Sequence, residues 1–352
     1  MTLMAAGVGE QVHNDPMTQL VCDLGGTYCR LALVEHDKMV PATCISLEND
    51  SFQSFDALLA HYLEDFTASH QISCVVIALA APVTGDRVAL TNRDWTLDRN
   101  VISDICGGAA VFLINDFEAL GHALNRPADL SLRAITPDLA KGAAQTRIIL
   151  GAGTGFNSAA CTPSGEIIRS ETGHTTLAVE TDIDRHLQQQ LSDRFGRCSQ
   201  ERILSGVGLI AVYRAICERE GQTAQFSGSF DIVRAGTASN DPCAEQACKE
   251  FARIMGRAAG DLALIFMAYG GVFLNGGVTR ALAPFLTSYD GPFGIAFRNK
   301  GRMAEQMKQF PVYLILDDHA ALSGCMDWLV RNAAKTLEQG RSNQTSLKKG
   351  AY

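Results

Sequence analysis

The chain alternates runs of apolar residues with stretches in which apolar residues recur at helical spacing. Continuous apolar runs predict buried strands at 20–34 (two strands), 74–80, 88–91, 111–114, 272–275 and 312–316. Helical spacing predicts one helix whose buried face carries Phe55, Leu58, Leu59, Tyr62, Leu63 and Phe66. A longer stripe around Phe251 predicts a helix that starts at Asn240 or Asp241 and stops near Gly270, and a last helix is predicted over 319–334. This alternation of strands and helices predicts a mixed α/β fold.

An acidic, glycine-paired turn interrupts the apolar segment 20–34 and predicts a β-hairpin. Gly25 and Gly26 lack a Cβ, so the backbone there could take positive φ and let an anion approach its N–H groups. Thr27 adds a hydroxyl donor, and Asp23 places a carboxylate where phosphate-bound magnesium could sit, directly or through water. Taken alone, the pattern is weak evidence for phosphate binding, because an ordinary tight hairpin has the same residues.

A second strand-turn-strand unit occupies residues 147–161, with Gly151-Ala-Gly-Thr-Gly155 at its turn. Two such units favour a duplicated nucleotide-binding architecture with one phosphate turn in each domain and the nucleotide in the cleft between them. The Walker pattern is absent, and the second turn leads into a strand, which argues against a P-loop or a Rossmann dinucleotide site.

Size, charge and cysteine content narrow the class of protein. With 352 residues the chain has room for two domains, and a net charge of -8 argues against nucleic acid as a main partner. No apolar run approaches the ~20 residues of a membrane span. Eleven cysteines without Cys-x-x-Cys spacing indicate reduced thiols and a cytoplasmic location. Residues 1–18, which lack the pattern of a secretory signal, are expected to be a disordered extension, and 339–352 a flexible tail.

Asp116 is the strongest catalytic candidate because it lies at the C-terminal end of the strand segment Val111-Phe-Leu-Ile-Asn-Asp116. The carboxyl ends of strands are where α/β sheets place groups that handle ligands. If the substrate is an alcohol to be phosphorylated, Asp116 would take its proton and Asn115 would bind a hydroxyl. Asp116 also fits the role of N-cap for a helix over 117–123, and the two roles are compatible.

A second polar set follows in Glu171-Thr-Gly-His174 and at Glu201. Together with Asn115 and Asp116, these groups suit the several hydroxyls of a sugar, each of which needs a hydrogen-bond partner when buried. Taken singly, His174 also fits a structural histidine and Glu201 a solvated acid in a first helical turn. A metal site at Glu171 and His174 lacks further ligands at suitable spacing.

Seven ordered motifs together resemble the bacterial-type glucokinase family over residues 20–329. They are Asp-Leu-Gly-Gly-Thr at 23–27, Ala-Pro-Val-Thr-Gly-Asp at 81–86 with Leu-Thr-Asn-x-x-Trp at 90–95, Ile-Asn-Asp-Phe at 114–117, Gly-Ala-Gly-Thr-Gly at 151–155, Glu-x-Gly-His at 171–174, Glu-Arg-x-Leu-Ser-Gly at 201–206, and Phe-Leu-Asn-Gly-Gly-Val at 273–278. A set of motifs in order is far more specific than a single glycine pair.

The resemblance implies a two-domain, actin-like (ribonuclease H-like) sugar kinase fold with a nucleotide and sugar cleft between the domains. The smaller domain would comprise 19–126 plus about 318–338, and the larger one 127–317. It further implies glucose as phosphoryl acceptor, ATP and Mg²⁺ as cosubstrates, and a homodimer.

Site roles follow from the same motifs. Asp116 would be the base on the 6-hydroxyl, and Asn115, Glu171, His174 and Glu201 would hold other sugar hydroxyls. The groups that would handle ATP phosphates and the metal are Cys22, Asp23, Leu24, Gly25, Gly26, Thr27, Gly153 and Thr154. Gly276 and Gly277 would border the nucleoside.

The chain departs from this family pattern at two positions. Asn157 stands where the family usually has glycine, and Thr172 stands where the family's Glu-Gly-Gly-His motif has glycine or a similar small residue. Either side chain could narrow the cleft or add a contact, which affects sugar preference. The related repressor, open-reading-frame and kinase family usually carries a cysteine-rich zinc loop before the same glutamate, and the single Cys198 argues against that branch.

Other functions stay open at this level. A kinase for another hexose would share every motif, and a non-catalytic sugar sensor would keep the binding residues but lose the base, whereas Asp116 is present. A DNA-binding regulator would need a basic helix-turn-helix segment that the first 18 residues do not supply. A heat-shock-type ATPase would need an additional substrate domain.

Overall fold

The computed structural model describes residues 18–66, 71–90, 93–136 and 145–332. The predicted N-terminal extension lies outside these residues except for Thr18, which opens the first strand, and the predicted tail at 339–352 lies outside them as well. The described residues form a mixed α/β fold around two six-stranded sheets and one two-stranded sheet.

The strands are β1 Thr18–Leu24, β2 Tyr28–Glu35, β3 Lys38–Met39, β4 Ile45–Glu48, β5 Ile72–Leu79, β6 Arg87–Ala89, β7 Thr96–Asp98, β8 Ala110–Asn115, β9 Leu132–Ala134, β10 Arg147–Ala152, β11 Phe156–Cys161, β12 Ile167–Arg169, β13 Gly271–Asn275 and β14 Val312–Ile315.

The helices are α1 Phe55–Phe66, α2 Arg99–Ile105, α3 Asp116–Ala123, α4 Asp182–Phe195, α5 Gly206–Arg219, α6 Ser229–Thr237, α7 Pro242–Phe266, α8 Gly277–Ala281, α9 Ala283–Leu286, α10 Pro292–Arg298, α11 Ala304–Met307 and α12 Ala320–Arg331.

The two large sheets share one strand arrangement. In the first, β1 pairs antiparallel with β2 and parallel with β5, which pairs parallel with β8. In the second, β10 pairs antiparallel with β11 and parallel with β13, which pairs parallel with β14. Each sheet therefore carries a hairpin beside two parallel strands, as the prediction of a duplicated architecture requires.

Helices α3 and α12 lie between the two sheets. Leu322, Cys325 and Met326 of α12 pack with Val21 and Val76 of the first sheet. On the other side, Leu120 and Ala123 of α3 pack with Ile149, Ala159 and Phe273 of the second sheet. The strands of the first sheet precede residue 126 and those of the second sheet follow it, while α12 returns to pack on the first sheet. The division into two domains stays a prediction.

A buried polar cluster fixes how these two helices cross. The Asp327 carboxylate on α12 accepts hydrogen bonds from Asn125 Nδ2 (2.8 Å) and Arg331 Nε (2.8 Å) and lies 3.0 Å from His122 Nδ1. Burial alone would raise the pKa of Asp327, but hydrogen bonding to His122 and Asn125 outweighs burial and holds this pKa below its usual value. The ionised carboxylate is therefore the stable form in the folded chain.

Most predicted elements are present with shifted ends. Helix α1 and the start of α7 are confirmed, with Asp241 as N-cap of α7 and Pro242 in its first turn. The prediction that α7 reaches Gly270 is wrong, because the helix ends at Phe266 and Met267 takes a left-handed φ of 47°. Local apolar periodicity continues past that residue and does not reveal the reversal.

All eleven cysteines are free thiols, and ten of them are buried. No helix in the described ranges is long and apolar enough to cross a membrane.

Replacing Gly324 by alanine tests the contact between α3 and α12. A Cβ at Gly324 would collide with the backbone carbonyl of Ala119. We expect Gly324→Ala to lower the free energy of unfolding by about 1–3 kcal/mol, even though alanine favours a helix interior by about 1 kcal/mol. Chemical denaturation measures the change. Ser323→Ala, in the same turn, adds no atom and serves as control, and equal stability of the two variants would contradict the close packing.

Candidate active site

The first glycine turn joins β1 to β2 and is anchored from behind by Asn49. Asn49 Nδ2 donates to the carbonyl oxygens of Gly25 (2.9 Å) and Gly26 (3.2 Å), and the Asn49 N–H donates to the carbonyl of Thr27 (2.9 Å). In a trans peptide the N–H points opposite to the C=O, so the N–H groups of Gly26 and Thr27 point away from Asn49. The turn thus presents backbone donors on its outer side, as an anion site needs.

Neither glycine of this turn uses a positive φ, which corrects the sequence expectation. Their role is to leave room. A Cβ on Gly26 would lie 3.7 Å from Thr154 Oγ1, so the first turn directly faces the second. The two turns therefore face each other at close range.

The second turn, between β10 and β11, is braced by two other segments. Gly206 N–H donates to the Gly153 carbonyl (3.0 Å), and Thr279 Oγ1 accepts from Ala152 N–H (3.0 Å). Gly276 has a φ of 104° and lies so close to the Ala152 carbonyl that no side chain would fit. Gly276 consequently lies against the second turn, and the assignment of Gly276 and Gly277 to the nucleoside stays a prediction.

Two predicted site residues, Cys22 and Leu24, turn their side chains into the core. The side chains of Cys22 and Leu24 are completely or almost completely buried in the core of the first sheet, with Cys22 Sγ 3.3 Å from Cys29 Sγ. Strand alternation turns these neighbours of Asp23 inward. These side chains therefore support the turn from the core, and a contact of either residue with a ligand would come from its backbone.

Asp23 is held by an arginine that the sequence analysis did not single out. Arg30 Nη1 lies 3.3 Å from Asp23 Oδ2, and its Nη2 lies 3.8 Å from Asp318 Oδ1. Asp318 also pairs with Arg280 on α8. Burial raises the pKa of Asp23, and the attraction of Arg30 opposes the shift.

Asp116 is the first residue of α3, and its neighbour Asn115 is the N-cap. Asn115 Oδ1 accepts from the N–H groups of Phe117 (2.9 Å) and Glu118 (3.3 Å). The alternative that Asp116 caps this helix is therefore wrong, although Asp116 Oδ1 also accepts from Phe117 N–H (2.9 Å). The cap fixes Asn115 Oδ1 in the helix, which leaves its amide nitrogen for a ligand.

The Asp116 carboxyl group has an unusual pKa. Burial, followed by the negative charge of Asp23 and a smaller contribution from Glu171, raises the pKa of Asp116 to about 7. Asp116 therefore lies in the electrostatic reach of both the first glycine turn and the Glu171 segment. A base with a pKa near 7 is well matched to proton abstraction at neutral pH.

Glu171, His174 and Glu201 belong to one connected region. Glu171 precedes a short 3₁₀ turn, Thr172–His174, whose Gly173 carbonyl accepts from Glu201 N–H (3.0 Å). Glu201 Oε2 in turn accepts from Phe156 N–H (3.0 Å) beside the second glycine turn. Glu201 is not in a helix, so it is not the first-turn acid of the alternative interpretation. The Glu171 and His174 side chains are exposed.

The supporting residues Asn49, Arg30 and Asn157 were missed as site residues by the sequence analysis. Asn49 lies 24 residues from Gly25 along the chain, and no local pattern connects them. Asn157 departs from the family pattern, but the sequence does not show that its side chain donates to Glu171.

The fold and the facing glycine turns define an actin-like sugar kinase. A family model described as Glucokinase matches residues 20–332. Glucokinases from Mesorhizobium japonicum and Brucella melitensis are 33% and 35% identical, over 87% of this chain and 89% of each relative. The chain belongs to the glucokinase family.

Solved structures agree with the fold. The crystal structure of a glucokinase from an Antarctic psychrotroph matches with a TM-score of 0.75 and 27% identity, covering 90% of this chain and 99% of that one. A glucokinase of the repressor, open-reading-frame and kinase family from Streptomyces griseus, solved with glucose and AMPPNP, has a TM-score of 0.60 at 18% identity, covers 88% of this chain and 98% of that one, and shows the shared fold alone. The predicted actin-like fold and kinase class are confirmed.

Asp116→Asn should stabilise the folded protein. The raised pKa means that the native state holds the Asp116 proton up to about pH 7, whereas the unfolded chain releases it near pH 4. The contribution of protonated Asp116 to folding stability is present below about pH 4 and is lost as pH rises through about 7. An uncharged asparagine therefore raises the free energy of unfolding most above about pH 7. We expect a rise in Tm of about 2 °C or more at about pH 8, and a smaller one at about pH 5.

Differential scanning calorimetry at both pH values provides the measurement. Glu118→Gln is the matched control, because Glu118 lies in the same helical turn but pairs with Arg169 at 3.4 Å. An Asp116→Asn variant with unchanged or lower Tm at the higher pH would show that the carboxylate is adequately solvated.

Proposed function

We propose that this protein is a glucokinase that transfers the γ-phosphoryl group of ATP to the 6-hydroxyl of glucose, giving glucose 6-phosphate and ADP. The observation that carries the proposal is the position of Asp116. A desolvated carboxyl group with a pKa of about 7 interacts electrostatically with Asp23, beside the first glycine turn, and with Glu171, in the predicted sugar-binding segment. Family membership supports both substrates.

In this mechanism Asp116 accepts the proton of the 6-hydroxyl as that oxygen attacks the γ-phosphorus and the bond to ADP breaks. Asn115, Glu171, His174 and Glu201 would hold the other hydroxyls. Backbone N–H groups of Gly26 and Thr27, with the Thr154 hydroxyl opposite, would bind phosphate oxygens, whereas the Gly153 N–H already donates to the Gly155 carbonyl at 2.8 Å. Such positioning and charge stabilisation account for most of the catalysis of phosphoryl transfer.

The residues present fit a magnesium ion. Asp23 lies in the field of Asp318 and itself raises the pKa of Asp116, so negative charges gather beside the phosphate turn. Among the described residues no group of three or more His, Cys, Asp or Glu side chains could hold a metal alone. Mg²⁺ commonly takes one or two carboxylates with waters and phosphate oxygens, and Asp23 would supply the carboxylate. The bound ion would neutralise phosphate charge.

We further propose a cytoplasmic location and a homodimer. Free thiols throughout the chain support a reducing compartment. The dimer follows from the family resemblance and stays a prediction.

A kinase for another hexose is the second candidate. The observation that favours it is the hydrogen bond from Asn157 to Glu171, since Asn157 stands where the family usually has glycine and therefore alters the expected sugar site. A coupled assay over a panel of hexoses and phosphoryl donors decides between the candidates. If kcat/KM is highest for a sugar other than glucose, the protein is a kinase for that sugar. If no hexose is turned over, the non-catalytic sugar sensor is the remaining candidate.

The activity should depend on pH through Asp116. Because the base must be ionised, kcat/KM should rise with pH and level off above about 7, falling roughly tenfold per unit on the acid side. The profile is measured from about pH 5 to about pH 9, with coupling enzymes in excess. A kcat/KM value that stays flat through this range would exclude Asp116 as the base.

Asp116→Asn should retain binding while losing turnover. Asparagine preserves the shape of the side chain but cannot take the proton, so kcat should fall by at least ~10²-fold. Isothermal titration calorimetry should show dissociation constants for glucose and ATP within about threefold of the unmodified protein. Retained turnover in this variant would overturn the role of Asp116.

A further inference from the structure

The two departures from the family pattern, Asn157 and Thr172, contact each other directly. Asn157 Oδ1 accepts from the backbone N–H of Thr172 at 3.0 Å and from Ser158 N–H at 2.9 Å. Asn157 Nδ2 donates to Glu171 Oε2 at 3.1 Å. One amide therefore joins strand β11 to the predicted sugar-binding carboxylate.

The orientation of this amide is determined by its partners. Of the two polar atoms of the Asn157 amide, only the oxygen can accept from the N–H groups of Thr172 and Ser158. Only the nitrogen can donate to the Glu171 carboxylate. Rotating the amide by 180° would lose all three hydrogen bonds. Asn157 is thus matched to its neighbours on both sides.

The Thr172 hydroxyl secures the same loop from below. Thr172 Oγ1 lies 2.6 Å from Ser158 Oγ and 2.7 Å from Ser170 Oγ, and Ser170 Oγ donates to the Ser158 carbonyl at 2.7 Å. Thr172 and Ser158 are only 7% and 1% exposed. This hydroxyl cluster, Ser158, Ser170 and Thr172, holds the backbone before and after Glu171 on β11.

The Glu171 side chain itself has little else to hold it. It is exposed, and Asn157 is the one side chain within the described ranges that donates a hydrogen bond to it. An unrestrained glutamate samples many rotamers and loses that freedom when it binds a ligand. A donor that fixes the carboxylate beforehand reduces this cost and increases affinity.

We propose that Asn157 is a positioning residue that holds the Glu171 carboxylate in one orientation for a hydroxyl of the hexose, and thereby sets sugar affinity and discrimination. This inference rests on the proposed function of Glu171. It makes Asn157 a determinant of KM, because neither Asn157 nor the hydroxyl cluster is hydrogen-bonded to Asp116. The substrates favoured are hexoses that present a hydroxyl to a fixed carboxylate, and analogues without that hydroxyl are disfavoured.

Asn157→Asp tests the proposal selectively. The new carboxylate retains an acceptor for Thr172 and Ser158, but it cannot donate to Glu171 and places a like charge beside it. We expect the KM for glucose to rise about tenfold while kcat stays within about twofold. The preference for glucose over one of its monodeoxy analogues should shrink by a similar factor. Asn299→Asp, the same chemical change at an exposed residue of the α10 terminus, should leave both constants unchanged.

A double substitution distinguishes positioning from general disturbance. Asn157→Asp combined with Glu171→Gln exchanges donor and acceptor and restores one hydrogen bond. If the two side chains act as a pair, the double variant should bind glucose about fivefold or more tighter than the product of the single effects predicts. Circular dichroism and Tm establish that each variant is folded, so a loss of affinity is not a loss of structure.

The outcomes separate the inference from the proposed function. If the unmodified protein binds no hexose in calorimetry, the proposed function fails and the inference fails with it. If it binds and phosphorylates glucose while Asn157→Asp has the same KM and the same deoxyglucose preference, the inference alone is wrong. Additive effects in the double variant would likewise overturn it.

Discussion

The contact between α3 and α12 is the constraint on which the rest of the structure depends. These helices separate the two sheets, and Gly324 allows their backbones to approach at Ala119. Asp327 adds hydrogen-bonded neighbours from both helices. Because α3 begins at Asp116, the packing of this pair determines where the reactive carboxylate stands relative to both glycine turns. A tertiary contact remote from the cleft thus sets the geometry of the cleft.

The same arrangement places a charge where it is poorly solvated. Helix α3 offers Asp116 a backbone N–H and the favourable end of its dipole, yet burial and the charge of Asp23 outweigh both and raise the pKa of Asp116 to about 7. The buried Asp116 carboxylate destabilises the folded protein at neutral pH. The same poor solvation makes it a stronger base, because it accepts a proton readily. Local stability and catalytic fitness oppose each other at this residue.

Local sequence patterns predicted much of the fold, because strands, hairpins and helix starts depend on neighbours in the chain. The β1–β2 and β10–β11 hairpins, α1 and the cap at Asp241 are examples. A feature that depends on a distant partner was not predictable, namely the support of the first turn by Asn49. The cap at Asn115 was assigned one residue too late, since Asn and Asp both suit that position.

Asn157 and Thr172 illustrate the same limit from the other direction. Along the sequence they are two separate departures, each an apparent obstacle in the cleft. In space the Thr172 N–H is satisfied by the Asn157 amide, and the Thr172 hydroxyl by β11. A glycine at 157 would remove an acceptor from residue 172 and a donor from Glu171 at once. The two residues therefore act as one hydrogen-bonded unit, so the effect of changing either depends on whether the other is present.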